Sequence, residues 1–164
     1  MLFIGRSNTK KNSIPIQKLI DPLLVLNFTQ AWYQSDEIHS LKEALNFLGD
    51  DKNVYIISHS AGGRLASVLA QEMNVKKLVC FGYPFKYPNE LEDPTRTASF
   101  ENIQKPLLII QGLNDVYGGK EILTKYKLSI LISFFFVNTH HEFDDLPDKT
   151  WEIIYKQVIS FIEG

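Results

Sequence analysis

The sequence predicts an α/β fold, one domain over residues 1–164 with about six mostly parallel strands flanked by helices. Three observations carry this. Short apolar runs alternate with segments of helical period, the rhythm of β-α-β units. The runs are apolar without internal alternation, the pattern of strands buried on both faces. The chain's 164 residues, 45% apolar and 22% charged, suffice for one core without disulfides or metal.

The elements follow in order. Met1–Gly5 opens as an apolar run ending at a glycine. Residues 14–22 suit a short helix, with Pro15 and Pro22 limiting its extent. A second strand is predicted over 23–28 (LLVLNF). Ser35 can cap a helix whose first turn carries Asp36 and Glu37; Ile38, Leu41, Leu45 and Leu48 share one face, and Gly49 ends it. Further strands are predicted over 53–58 (NVYIIS), 76–81 (KKLVCF), 106–111 (PLLIIQ) and 132–137 (ISFFFV). A helix bearing Leu65, Val68 and Leu69 follows the third strand, and Trp151, Ile154, Tyr155, Val158 and Ile162 form the stripe of a C-terminal helix. Residues 84–104, with three prolines, read as a long loop with one helical turn.

Charge and composition narrow the function. Seventeen Lys plus Arg against 19 Asp plus Glu give a net charge of −2, without the basic surplus that nucleic acid requires. No run reaches the ~20 apolar residues of a membrane helix, and MLFIGRS lacks the layout of a secretory signal. The single cysteine, Cys80, forbids an intrachain disulfide and reads as a small core residue. The sequon Asn27-Phe28-Thr29 carries little weight without a secretion signal. A soluble cytoplasmic protein acting on a small molecule, with no nucleic-acid or membrane partner, is the expectation. No zinc-type spacing and no G-x-G-x-x-G or Walker pattern occurs, so no metal and no cofactor is expected.

The chemistry is concentrated in VYIISHSAGGRLASVLA (54–70). A buried strand runs into Ser58-His59-Ser60-Ala61-Gly62-Gly63 and a helix follows at once, the context of a nucleophile elbow of G-x-S-x-G type. The serine at such an apex occupies a strained conformation, so the residues two before and two after it must be small. Gly62 meets this requirement, and Ser58 replaces the usual first glycine. The Ala61 N–H, at the helix N-terminus, can donate to an oxyanion. The fifth strand ends in Gln111-Gly112-Leu113-Asn114-Asp115 and the sixth is followed by Asn138-Thr139-His140-His141-Glu142-Phe143. A carboxylate and an imidazole thus follow other strands at the rim where open parallel sheets bind ligands. The order Ser60, Asp115, His141 is the Ser-Asp-His order of α/β-hydrolases.

On these residues the chain resembles the α/β-hydrolase superfamily, on its dienelactone-hydrolase side. SHSAGGR (58–64), GYPF (82–85), QG-x-x-D (111–115) and H-x-F (141–143) resemble more narrowly a family of predicted hydrolases. That family includes small bacterial proteins, testis-expressed homologues and the hydrolase-like subunit of the NSL chromatin complex. The resemblance implies a compact α/β-hydrolase domain, with Ser60 as nucleophile, His141 as base and Asp115 as its orienter. It implies acyl transfer through an acyl-enzyme on small esters, thioesters or lactones, without a defined substrate. Where that family shows a His-Gly turn after the first strand, this chain has Ile4-Gly5-Arg6-Ser7, so Arg6 N–H stands as the second oxyanion donor. The antiparallel N-terminal strands and a cap domain are expected to be lacking. The sheet edge so exposed is one where two copies could pair as a homodimer.

Each assignment has a rival. His140 competes with His141, and Phe143 in the H-x-F pattern favours His141. His59 is expected to point away from the nucleophile, as a packed or a surface histidine, and His39 to be solvated on its helix. Asp115 has a plain turn role as its alternative, and Asp144 and Asp145 suit a polar loop or a helix start. Tyr83 and Phe85, with Tyr87, are candidates to line a substrate groove; packing over the sheet edge is the alternative. A non-catalytic interaction module on the same fold is the rival function, and a flavodoxin-like binding fold a weaker third.

Overall fold

The computed structural model describes residues 2–4, 13–24, 31–33, 54–72 and 74–164. Its elements are β1 (Leu2–Ile4), α1 (Ile14–Leu24), β2 (Ala31–Tyr33), β3 (Val54–His59), α2 (Ala61–Glu72), β4 (Val75–Phe81), a 3₁₀ turn (Pro94–Arg96), β5 (Leu107–Gly112), α3 (Ile122–Lys125), β6 (Ile132–Val137) and α4 (Asp148–Glu163). The six strands form one sheet in the order β2-β1-β3-β4-β5-β6, and every neighbouring pair is parallel. The chain steps from β1 outward to β2, then crosses to β3 on the other side of β1. That reversal opens a crevice at the carboxyl ends of β1 and β3, where open α/β sheets bind ligands.

Alternation within the strands explains the continuous apolar runs. Ile56, Leu78, Cys80, Leu107 and Ile109 face one layer, which includes Ala66 and Ala70 of α2. Tyr55, Ile57, Val79, Phe81, Leu108 and Ile110 face the other, closed by Ile16 and Leu19 of α1 and by Trp151, Ile154, Val158 and Ile162 of α4. Both faces are dry, so both parities are apolar. Each fully buried aliphatic side chain here contributes about 1.5–3 kcal/mol.

Four expectations need correction. The run 23–28 is not a strand from its start: Leu23 and Leu24 close α1, and the second strand is Ala31–Tyr33. Short apolar runs do not distinguish a helix end from a buried strand. Pro15 lies in the first turn of α1, where its missing N–H costs nothing, and Pro22 falls within the last turn rather than ending the helix. On α2 the inward face is built from small residues. A Cβ at Gly63 would lie 2.2 Å from Cys80 Sγ, so Gly63, Ala66 and Ala70 bring the helix close to β4 while Val68 is exposed. Finally, β6 is half-buried at the end of the strand order, so its phenylalanine run packs on one neighbour strand only. The helix predicted from Ser35 to Gly49, with His39, and the segment 25–28 lie outside the described residues.

Candidate active site

Ser60 stands between the last residue of β3 and the first of α2, with φ +55°. This left-handed backbone is costly for a residue with a Cβ, so the surrounding structure must hold it. It does so through two bonds: Ser60 N–H donates to Phe81 O at 2.9 Å, and Ser60 O accepts from Gly63 N–H at 2.8 Å. Ser58, at the position where glycine is usual, is fully buried and turns its hydroxyl to Val79 O at 3.0 Å. The strand-to-helix turn therefore aims the Ser60 side chain beyond the sheet. Ala61 is exposed, and as the first residue of α2 its N–H is one of the donors with no intrahelical acceptor.

The strand registers bring the other groups to the same rim. His59 pairs with Phe81, Phe81 with Ile110, and Ile110 with Phe135, so the segments after β3, β4, β5 and β6 emerge together. Ser60 Oγ lies 2.8 Å from His141 Nε2, and His141 Nδ1 lies 2.8 Å from Asp115 Oδ2. The residues are 8%, 5% and 5% exposed for Ser60, His141 and Asp115. Asp115 Oδ1 accepts from Tyr117 N–H at 2.8 Å, and Oδ2 also accepts from Gln111 Nε2 at 2.9 Å. An ionised carboxylate only accepts, so in this bond Nδ1 carries the imidazole proton. Nε2 is then left with a lone pair for the Ser60 hydroxyl. The ring is further confined by Tyr117, whose centroid lies 4.4 Å away.

The structure distinguishes the two adjacent histidines. His141 enters the buried line of groups, whereas His140 is exposed and faces Asp144 at 3.3 Å and Asp145 at 3.7 Å. Thr139 Oγ1 donates to Asp145, so that carboxylate belongs to the polar loop. Among the described residues, His140, Asp144 and Asp145 are the one group whose ligand-type atoms converge, and all three are exposed. Phe143 explains the H-x-F spacing. Its ring is fully buried, edge-on to Phe81 at 5.6 Å, and pins the loop bearing His141 to the core.

His59 takes the packed one of its two alternatives. It points away from Ser60's hydroxyl and is fully buried under the site. Its Nε2–H donates to the His141 carbonyl at 3.1 Å, and Ser13 Oγ–H donates to its Nδ1 at 3.2 Å. The alternation of β3 carries the signal, since it sets His59 on the same face as Tyr55 and Ile57. In the sequence Gln111 is only a letter of the QG-x-x-D pattern; the structure makes it a direct partner of Asp115.

Tyr83 and Phe85 do not line a groove. Both are 1% exposed, their rings pack on each other and on Phe100, and the Tyr83 hydroxyl donates to Arg96 O. Aromatic rings in a loop beside an apolar face gain most by burial, and here α3 and β6 complete their enclosure. Tyr87 is exposed, and its ring lies on the buried Arg96 guanidinium, 3.5 Å from centroid to Cζ, and 6.5 Å from the ring of Tyr117. Arg6 lies outside the described residues.

Burial pushes the Cys80 thiol up to about 12, which leaves no thiolate at neutral pH to act as a rival nucleophile. Iodoacetamide should therefore leave Cys80 unmodified in the native protein at pH 8 and react fully once the chain is unfolded in urea. Mass spectrometry of the two samples checks this, and rapid native alkylation would contradict the packing described.

The fold has parallels in proteins of known structure. An esterase domain from Rhodothermus marinus superposes with a TM-score of 0.73 at 16% identity, covering 98% of this chain and 86% of that one. An alpha-beta serine hydrolase homologue from Coxiella burnetii gives 0.73 at 16% identity, covering 96% and 85%. An esterase from Pyrococcus furiosus gives 0.71 at 15% identity, covering 98% and 83%. At these identities the likeness is one of fold. No curated protein shows significant similarity to the chain. Residues 33–161 match the model of the alpha/beta hydrolase domain family, and across that span the chain carries the strand-turn-helix elbow and both later rim residues in the order described above. The protein thus belongs to the alpha/beta hydrolase domain family.

Proposed function

We propose that this protein is a serine hydrolase that cleaves small esters, thioesters or lactones through an acyl-enzyme. One observation carries the reading: an unbroken line from Ser60 Oγ through the His141 ring to Asp115, with 2.8 Å at each junction. A strained serine held against an imidazole favours this reading over a non-catalytic module on the same fold, for which Ser60→Ala would leave function unchanged.

In the proposed reaction Ser60 Oγ attacks the carbonyl carbon as His141 Nε2 takes its proton. The carbonyl π pair moves to oxygen, and the Ala61 N–H, at the start of α2, stabilises it in this reading. The tetrahedral species collapses, the bond to the leaving group breaks, and Nε2 returns the proton to the departing oxygen or sulfur. Water then attacks the acyl-serine in the same way, its proton passing through Nε2 to Ser60 Oγ as the acid is released. For a lactone the leaving oxygen stays tethered, and the product is one hydroxy acid. Asp115 stabilises the transient imidazolium and holds the ring.

The narrower kinship with predicted hydrolases is supported by GYPF and QG-x-x-D, whose residues shape the site: Gly82 lies against His141, and Gln111 bonds Asp115. A reducing, cytoplasmic setting fits the single buried cysteine. No helix among the described residues is long and apolar enough to cross a membrane.

A fluorophosphonate probe tests the reading, because it phosphonylates only a serine activated by a neighbouring base. The folded wild type should be labelled on Ser60, identified by peptide mass, and Ser60→Ala should not. A folded wild type that resists the probe and hydrolyses neither p-nitrophenyl acetate nor a thioester would refute it.

A further inference from the structure

We infer that Gln111 is a positioning residue for the hydrolytic reaction proposed above, a role that rests on that reading. Its side-chain amide holds Asp115, and through it His141, in line with Ser60. Gln111 lies in β5 and is fully buried. Its Oε1 accepts from Tyr83 N–H at 2.9 Å, on the segment that follows β4. Its Nε2 faces three acceptors: Gly118 O at 2.7 Å, Asp115 Oδ2 at 2.9 Å and Tyr83 O at 3.4 Å. Two N–H groups serve the two shorter contacts, and the third is the weakest. The network also fixes which way the amide points, since a flipped one would set its oxygen against a carboxylate and two carbonyls.

The consequence is geometric. The Asp115 carboxylate can turn about its side-chain torsions, and only one plane aims an Oδ2 lone pair at His141 Nδ1. Tyr117 N–H fixes Oδ1 and Gln111 Nε2 fixes Oδ2, so the plane has two anchors on opposite oxygens. The Tyr117 anchor belongs to the same loop as Asp115 and moves with it. Gln111 alone of the two ties the carboxylate to the sheet. It also bonds Gly118 O at the far end of that loop and the peptide of Tyr83, next to the Gly82 that borders the His141 ring. One buried amide thus sets the relative position of the acid loop and the wall against which the imidazole rests.

Gln111→Met keeps length and bulk and removes every bond. Lys77→Met serves as the control: Lys77 Nζ donates to Phe161 O and Ile162 O, away from the active rim, so its loss affects stability alone. Turnover of p-nitrophenyl acetate is measured below the unfolding range of each variant. Gln111→Met should lose about 10²-fold in kcat with KM within about threefold, the signature of a misplaced group rather than a lost binding contact. Lys77→Met should keep the wild-type kcat. The wild type should show a downfield proton resonance for His141 Nδ1–H, which should be lost or displaced in Gln111→Met and unmoved in Lys77→Met. Should Gln111→Met fail to fold, Gln111→Leu, which likewise removes the amide without adding a charge beside Asp115, takes its place with the same expectations. Wild-type kcat together with an unmoved Nδ1–H resonance in the folded Gln111 variant overturns the inference. A wild type inert to substrate and fluorophosphonate refutes the hydrolase reading instead, and the resonance alone then decides whether Gln111 positions the pair.

Discussion

Ser60→Ala is expected to lower ester turnover by roughly 10⁴–10⁶-fold, the range seen when a triad nucleophile is removed. The reason is chemical rather than structural. The substitution deletes only the hydroxyl that sits 2.8 Å from His141 Nε2, and the elbow remains anchored by its backbone bonds to Phe81 and Gly63. Alanine also tolerates φ +55° no worse than serine, so the fold should survive, with thermal unfolding close to wild type. His141→Ala should cost nearly as much, and the double variant little more than either alone, because the two act as one unit. His140→Ala should stay within about twofold, as its ring lies outside this line of groups. Steady-state kinetics on the four variants decide the matter. Equal losses at His140 and His141, or additive losses at Ser60 and His141, would break the assignment.

Gly82→Ala should damage activity by crowding the His141 ring directly. Gly82 has φ +54°, and a Cβ there would meet His141 Nδ1 at 3.1 Å, its Cε1 at 3.3 Å and its carbonyl oxygen at 3.3 Å. The neighbour must yield, yet this neighbour is bonded on both sides, to Ser60 and to Asp115. A shift of a few tenths of an ångström stretches both bonds at once. We expect about 10²-fold loss of kcat/KM, as for other small misplacements of a catalytic group. The left-handed backbone adds a stability loss of about 1–2 kcal/mol. Urea unfolding and kinetics together separate the two effects. A variant destabilised by this amount but fully active would show that the imidazole has more room than described.

These expectations rest on features of unequal visibility in the sequence. The elbow was legible because steric demands act locally: a buried strand, small residues at 58 and 62 and an immediate helix leave few other conformations for Ser60. The rim positions of Asp115 and His141 were legible because each follows an apolar run of strand length, and parallel strands end on the same side. Gly82 and Gln111 were visible as letters of motifs, but nothing local tells what they touch. Gly82 meets His141 from a loop 59 positions away along the chain, by their residue numbers. Only sheet order places them together. Tyr83 and Phe85 misled for the same reason. A loop aromatic looks alike in sequence whether it lies open to a substrate or, as here, closes the core with Phe100.

The sequence by itself determined the α/β class, the strands β3 to β6 and the strand-turn-helix that carries the serine. These follow from period, apolarity and backbone sterics, which are properties of neighbours along the chain. The tertiary structure settled what the H-x-F pattern only favoured, that His141 rather than His140 reaches Ser60, and it alone decided that His59 lies buried beneath it, that α1 runs on through Pro22, and that an amide on β5 bonds Asp115. Those outcomes depend on distances between segments remote in sequence, and such distances are fixed by strand register and packing rather than by any local preference of the residues involved.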